Sequence, residues 1–137
     1  MKTTYVTLVG DESVHPEYDS ALKRVVRSLD QFHTMYIGDR EIVSDKGEFE
    51  NRSPIDRSVL IGHFQKGTSD HARAAIESAK VSFAEWRRTP WQERVRILLR
   101  AADLIDERRY DLAAEITYEV GKTRLEALAE VTEASDC

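Results

Sequence analysis

Gly121, Lys122 and Thr123 stand in series, the three residue types that close a nucleotide-binding P-loop and present a lysine to its phosphates. Such a loop also needs a glycine five positions before its last one, so that successive backbone N–H groups curl around the anion. Ile116 stands there, in a run where Leu112, Ile116 and Val120 recur every four residues. That is a helical period, whereas a P-loop follows a buried strand. The three residues therefore read as a helix junction. Gly121 is a left-handed cap ending one helix, Lys122 favours that helix's negative end, and Thr123 with Glu126 forms a capping box for the next.

Other reactive residues are equally bare of the company that chemistry needs. Cys137 is the single cysteine. A nucleophilic thiol needs a base or a helix N-terminus beside it; Cys137 shows neither and reads as an incidental or partly buried thiol, compatible with a reducing compartment. His15, His33, His63 and His71 never fall three or four apart, the spacing that sets two metal ligands on one helix face. Glu126, Glu130 and Glu133 do share a helix side. Such a row is ordinarily a solvated face, because a general acid or base would need one carboxylate moved into an apolar pocket. Arg87, Arg88, Arg94, Arg96 and Arg100 cluster around Trp86 and Trp91, a mixture able to bind single-stranded nucleic acid. Glu93, Asp103, Asp106 and Glu107 lie close enough in sequence to pair with these arginines. Sequence reading thus assigns no catalytic, cofactor-binding or metal-binding residue from spacing alone.

Length and charge narrow the classes. The 137 residues suit one ordinary domain, and 41% hydrophobic with 33% charged residues suits helices with one solvated face. A net charge of −5 argues against nucleic acid as a partner. The opening Met1-Lys-Thr-Thr-Tyr-Val-Thr-Leu-Val-Gly10 is too short and too broken by threonine for a signal-peptide core, and no apolar run approaches a membrane span. The expectation is a soluble, intracellular protein.

The elements follow from periodicity. Tyr18, Leu22, Val25, Val26 and Leu29 mark an amphipathic helix opened near Pro16. Met35-Tyr-Ile and Arg40-Glu-Ile-Val43 flank Gly38-Asp39, a hairpin with a primed turn. An extended piece near Phe49 and a strand over Val59–Phe64 complete a small β-rich unit. Helices follow from about 69 to 88, burying Ala72, Ala75, Ile76, Ala79, Phe83 and Trp86, and from Thr89-Pro-Trp-Gln92, a cap with proline at the first helical position, to about Arg108. The latter carries Val95, Leu98, Leu99, Ala102 and Ile105 on one stripe. A third helix runs from Tyr110 to Val120 and a fourth begins after Thr123. Leu125, Leu128, Val131 and Thr132 are still building a stripe at Cys137; the expectation is a truncated chain whose last helix keeps an oily side that the polypeptide does not cover.

These pieces in series resemble the N-terminal region of the aldehyde dehydrogenase superfamily. The resemblance rests on Phe83-Ala-Glu-Trp-Arg-Arg-Thr-Pro-Trp-Gln-Glu-Arg94, Leu99-Arg-Ala-Ala-Asp-Leu-Ile-Asp-Glu-Arg-Arg-Tyr-Asp-Leu-Ala113 and Tyr118-Glu-Val-Gly-Lys122. The Tyr36–Ile42 hairpin and the Ser53-Pro-Ile-Asp…Val59-Leu-Ile-Gly62 strand precede them, so the match covers roughly residues 35 to 136. A helical extension before the hairpin makes the chain most similar to the 1-pyrroline-5-carboxylate dehydrogenase branch, although Ser53 stands where relatives often carry asparagine and Ser135-Asp-Cys137 where they continue into an aromatic-rich helix.

The resemblance implies an α/β parent fold with a Rossmann-type cofactor domain. Of it this chain supplies a helical extension (1–34), a β-hairpin and strand unit (35–67) and the first helices of the cofactor-binding domain (68–137). It further implies NAD(P)-dependent oxidation of an aldehyde, L-glutamate γ-semialdehyde in proline catabolism, through a thioester on a cysteine nucleophile. That cysteine, the general-base glutamate and the cofactor segment come later in such chains, and Cys137 does not match the nucleophile. NAD or NADP would be bound by the parent enzyme rather than by this segment. The implied partners are a small-molecule aldehyde, the remainder of the dehydrogenase chain and further copies in a homo-oligomer, with no nucleic acid or membrane, in the cytoplasm or, in a eukaryote, the mitochondrial matrix. Glu133 is the one residue carried over, as a contact to the substrate's amino group. The competing expectation is a self-sufficient helical interaction module without catalysis.

Overall fold

The computed structural model describes residues 13–136. Within them the chain runs α1 (Val14–Val26), β1 (Gln31–His33), β2 (Met35–Ile37), β3 (Arg40–Ile42), β4 (Glu48–Arg52), β5 (Leu60–Gln65), α2 (Ser69–Trp86), α3 (Trp91–Glu107), α4 (Arg109–Val120) and α5 (Arg124–Asp136). The readings of Met1–Gly10 and Cys137 fall outside the described residues.

β2 and β3 pair antiparallel with Ile37 opposite Arg40. Gly38 has φ +64° while Asp39 lacks a positive φ, the combination that a Gly-first primed turn requires. β5 lies between β4, antiparallel, and β1, parallel. Sequence reading gave no strand at 31–33, because three exposed residues carry no period. The signal sits instead on the partner strand. A Cβ on Gly62 would lie 2.9 Å from the Gln31 carbonyl oxygen and from the His33 ring, so a glycine in mid-strand is what lets β1 approach. Asp30 holds φ 60° at the entry to β1, and its N–H donates to the Ile61 carbonyl at 3.0 Å.

The core lies among α1, α4 and α5. Val14, Tyr18, Ala113, Ala127, Leu128 and Val131 form one buried cluster, and Ala21, Val25 and Ala114 another. Small residues bring these helices close, as alanine faces do. The expectation about the last helix is therefore overturned. Leu128 and Val131 are buried and Leu125 is partly so, because α4 and the end of α3 pack on that face and Val14 and Tyr18 of α1 complete the cluster. On α1, Val26 is half exposed rather than buried.

Uncovered apolar surface lies instead on α2 and α3, neither of which has a buried residue. Ile76, Phe83 and Trp86 are exposed, as are Ala72, Ala75 and Ala79. Of the α3 stripe only Ala102 and Ile105 are partly covered, while Val95, Leu98 and Leu99 face outward. Large apolar side chains left outward along a helix in this way mark an interface. The α3 start is also shifted. Pro90, with no side-chain cap, occupies the N-cap, and the Thr89 hydroxyl donates backward to the Glu85 carbonyl at 3.3 Å.

Candidate functional site

The α4–α5 junction forms as its residues dictate. Gly121 has φ +77°, and its N–H donates to the Thr117 carbonyl at 3.0 Å. The Glu126 carboxylate accepts from the Thr123 N–H at 3.0 Å and from its hydroxyl at 2.7 Å. These bonds hold the Glu126 carboxyl below its ordinary pKa of 4.5. A phosphate would need the same N–H groups free and pointing at it. They are spent inside the protein, so this junction does not fit a nucleotide phosphate. Ser53 supports the junction from below. Its buried hydroxyl accepts from the Ile55 N–H at 3.3 Å, and Pro54 and Ile55 pack 3.5 Å from where a Cβ on Gly121 would sit. The short serine thus closes the turn within a fully buried site.

Glu133 lies in the third turn of α5, exposed at the side of an open groove of about 640 Å³ between the end of α3 and helices α4 and α5. Ile105, Leu112, Ile116 and Val131 contribute its apolar surface. Glu115, Glu119 and Glu130 stand around it with Glu133. Of the acidic row read from sequence, Glu130 and Glu133 reach the groove, while Glu126 turns to the helix start. Glu130 pairs with the Lys122 ammonium.

Sequence reading missed Glu115 and Glu119. The available signal was their four-residue spacing beside Leu112 and Ile116. Burial raises the Glu115 carboxyl above its ordinary 4.5, with Asp111 and Glu119 adding to the rise and Arg108 opposing it. Both glutamates also line a smaller cavity, of about 210 Å³, against His33, Ile61 and Phe64 of the sheet. With Glu130 paired to Lys122, the carboxylates of Glu115, Glu119 and Glu133 around an apolar floor still suit an amine rather than an anion, so this groove does not fit a dinucleotide's pyrophosphate either.

Remaining candidates scatter. His15 meets Arg124, His33 stacks on Phe64 with ring centroids 4.7 Å apart, and His71 shares reciprocal capping bonds with Thr68 at the start of α2. His63 stands between Asp30 and Glu48, 3.2 and 3.1 Å away. In the arginine cluster, Arg100 pairs with Glu107 at 3.2 Å, and Asp106 is taken by Arg109. Among the described residues Arg87, Arg88, Arg94 and Arg96 make no ion pair, so the expected mutual neutralisation is only partial.

A family model described as the aldehyde dehydrogenase family matches residues 42–137. The chain belongs to that family. The 1-pyrroline-5-carboxylate dehydrogenase 2 of Bacillus subtilis is 31% identical over 126 residues, covering 92% of this chain and 24% of that protein. An alpha-ketoglutarate semialdehyde dehydrogenase of Haloferax volcanii is 36% identical over 102 residues, 74% of this chain and 21% of the relative. A solved 1-pyrroline-5-carboxylate dehydrogenase from Thermus with bound NAD superimposes with a TM-score of 0.86 at 33% identity, over 93% of this chain and 24% of that one. The chain thus spans about a quarter of the length of the relatives it matches. The α/β class read from sequence holds, with five helices and two small sheets among the described residues. None of those helices is long and apolar enough to cross a membrane.

Proposed function

We propose that this chain acts as the N-terminal part of an NAD(P)-dependent aldehyde dehydrogenase that oxidises L-glutamate γ-semialdehyde to L-glutamate in proline catabolism. The observation that carries the reading is the match to 1-pyrroline-5-carboxylate dehydrogenases across nine-tenths of the chain, α1 included. In the overall reaction, aldehyde, water and NAD(P)⁺ give carboxylate, reduced nicotinamide and two protons. The nicotinamide cofactor supplies the hydride acceptor when bound. Neither the α4–α5 junction nor the groove beside Glu133 fits its phosphates, and the role read for this part is scaffold and one wall of substrate access. Glu133 and its neighbours face the amino group of the semialdehyde. The exposed face of α2 and α3 is the seat for the rest of the dehydrogenase, and the division at 34 and 67 separates extension, β unit and cofactor-domain helices. Supporting the enzyme over a self-sufficient interaction module is that same face, left open by a segment one quarter the length of its relatives. The proposed setting is cytoplasmic, and the assembly a homo-oligomer.

Two assays test this. The 137-residue chain alone should not oxidise glutamate semialdehyde with NAD. Substituted for the matched quarter of the Bacillus subtilis relative, it should restore NAD-dependent turnover. A soluble chimera without turnover, or a chain active alone, contradicts the proposal.

A further inference from the structure

The family-matched segment begins at residue 42, after α1 has ended at Val26. Yet α1 is packed into the structure more tightly than α2 or α3, which do lie within the match. Tyr18 is 1% exposed, and its hydroxyl bonds to Thr117 on α4. The Thr117 hydroxyl donates in turn to the Lys122 carbonyl at 3.0 Å, in the turn before α5. With its proton committed there, Thr117 accepts and Tyr18 donates. Burial raises the Tyr18 hydroxyl above its ordinary 10.0, against the lowering effects of Thr117 and Arg124, so it stays a donor at neutral pH.

Arg124, the first residue of α5, lies 4.8 Å over the Tyr18 ring and reaches Asp19 at 2.6 Å and His15 Nδ1 at 2.7 Å. Arg24 meets Asp111 on α4 at 2.6 Å. One face of α1 therefore fastens both α4 and the first turn of α5. The groove is formed by the same two helices, and Glu133 lies nine residues beyond Arg124. At 1.5 Å per residue that lever is about 14 Å, so a tilt of about 4° at the junction moves Glu133 by about 1 Å. A displacement of about 1 Å is enough to cost up to about a hundredfold in a site that depends on placement.

We propose that α1 is a positioning element for the substrate groove, and that Tyr18, acting through Thr117 and the Lys122 carbonyl, sets the angle at which α5 presents Glu133 to an amino-bearing aldehyde. The inference rests on the dehydrogenase reading and on Glu133 as the amine contact.

The test uses the complete dehydrogenase containing this segment and two substrates, glutamate semialdehyde and propanal. Tyr18→Phe should raise KM for glutamate semialdehyde about three- to tenfold and leave KM for propanal and kcat for both within about twofold, because a tilted α5 weakens the Glu133 contact to the amine without touching the reacting carbonyl. Thr117→Val should do the same, and Thr117→Ser, which keeps the hydroxyl, should restore the parent values. A purely structural role would instead lower active enzyme or shift both substrates together. If Glu133→Gln discriminates between the substrates and Tyr18→Phe does not, the positioning role is wrong while the amine contact stands. If Glu133→Gln itself affects both equally, the amine contact falls, and the proposal with it.

Discussion

Two pairs of helices carry comparable apolar stripes and meet opposite fates. α5 buries Leu128 and Val131, with Leu128 only 2% exposed, and α4 buries Ala113 and Ala114 beside half-covered Leu112 and Ile116, while α2 and α3 leave their stripes outward, with Leu98 63% exposed. Composition does not separate them, since each stripe follows the same three-and-four spacing. What separates them is their neighbours: Tyr18, Ala21 and Val25 of α1 join Ala113, Ala114 and Ala127 in the buried clusters, whereas α3 reaches that core only through its end at Ile105, and α2 meets little besides β2. Periodicity states that a helix has a face to cover, and tertiary structure decides what covers it.

The contrast breaks most sharply under truncation. In the isolated chain Leu128→Ala should cost about 2–5 kcal/mol by chemical denaturation, as deletion in a packed core does. Leu98→Ala should stay within about 0.5 kcal/mol, as for an exposed position. Equal losses would mean that α3 is covered after all. In the complete dehydrogenase the same Leu98→Ala should become destabilising.

A smaller effect is expected at the junction that links the covered pair. Gly121→Ala meets only ordinary contacts at 3.5 Å, so its cost comes from the left-handed φ of +77°; about 1–2 kcal/mol is expected in the same denaturation.

The smallest effects depend on pH and lie in the covered pair alone. Glu126 has a lowered pKa in the fold, so the stability it contributes is present above 4.5 and is lost as pH falls through the folded value. Helix α5 should loosen at its start on acidification, and Glu126→Gln should abolish that response in amide chemical shifts. Glu115 has the opposite sign. Its raised pKa means that the fold binds a proton more readily than the unfolded chain, so stability declines as pH rises from 4.5 through the folded value. Glu115→Gln should therefore stabilise the chain slightly at neutral pH and flatten that decline. An unchanged melting profile would return Glu115 to an ordinary solvated carboxylate.

Local signals told most of the fold. The Gly38 hairpin, the Gly121 cap and the Thr123–Glu126 bond follow from residue types a few positions apart. Non-local facts were hidden. β1 exists because Gly62, some thirty residues later, leaves room for it. The covered state of α5 depends on α4, on the end of α3 and on Val14 and Tyr18 of α1, about a hundred residues earlier. The groove was half legible. Glu130 and Glu133 stood out as a row, but their meeting with Glu115 and Glu119 depends on how α4 and α5 pack, which no spacing records. The Gly-Lys-Thr stretch was settled by the absence of a partner glycine, and its N–H groups are bonded within the junction.

Tryptophan fluorescence gives the most direct test, because Trp86 and Trp91 are the two tryptophans of the chain and both lie at the α2–α3 junction, 38% and 63% exposed. Acrylamide should quench both efficiently in the isolated monomer and far less once the rest of a dehydrogenase polypeptide is joined to it. Shielded, blue-shifted emission from the monomeric chain alone would contradict the account, since the face said to await the rest of the enzyme would already be closed.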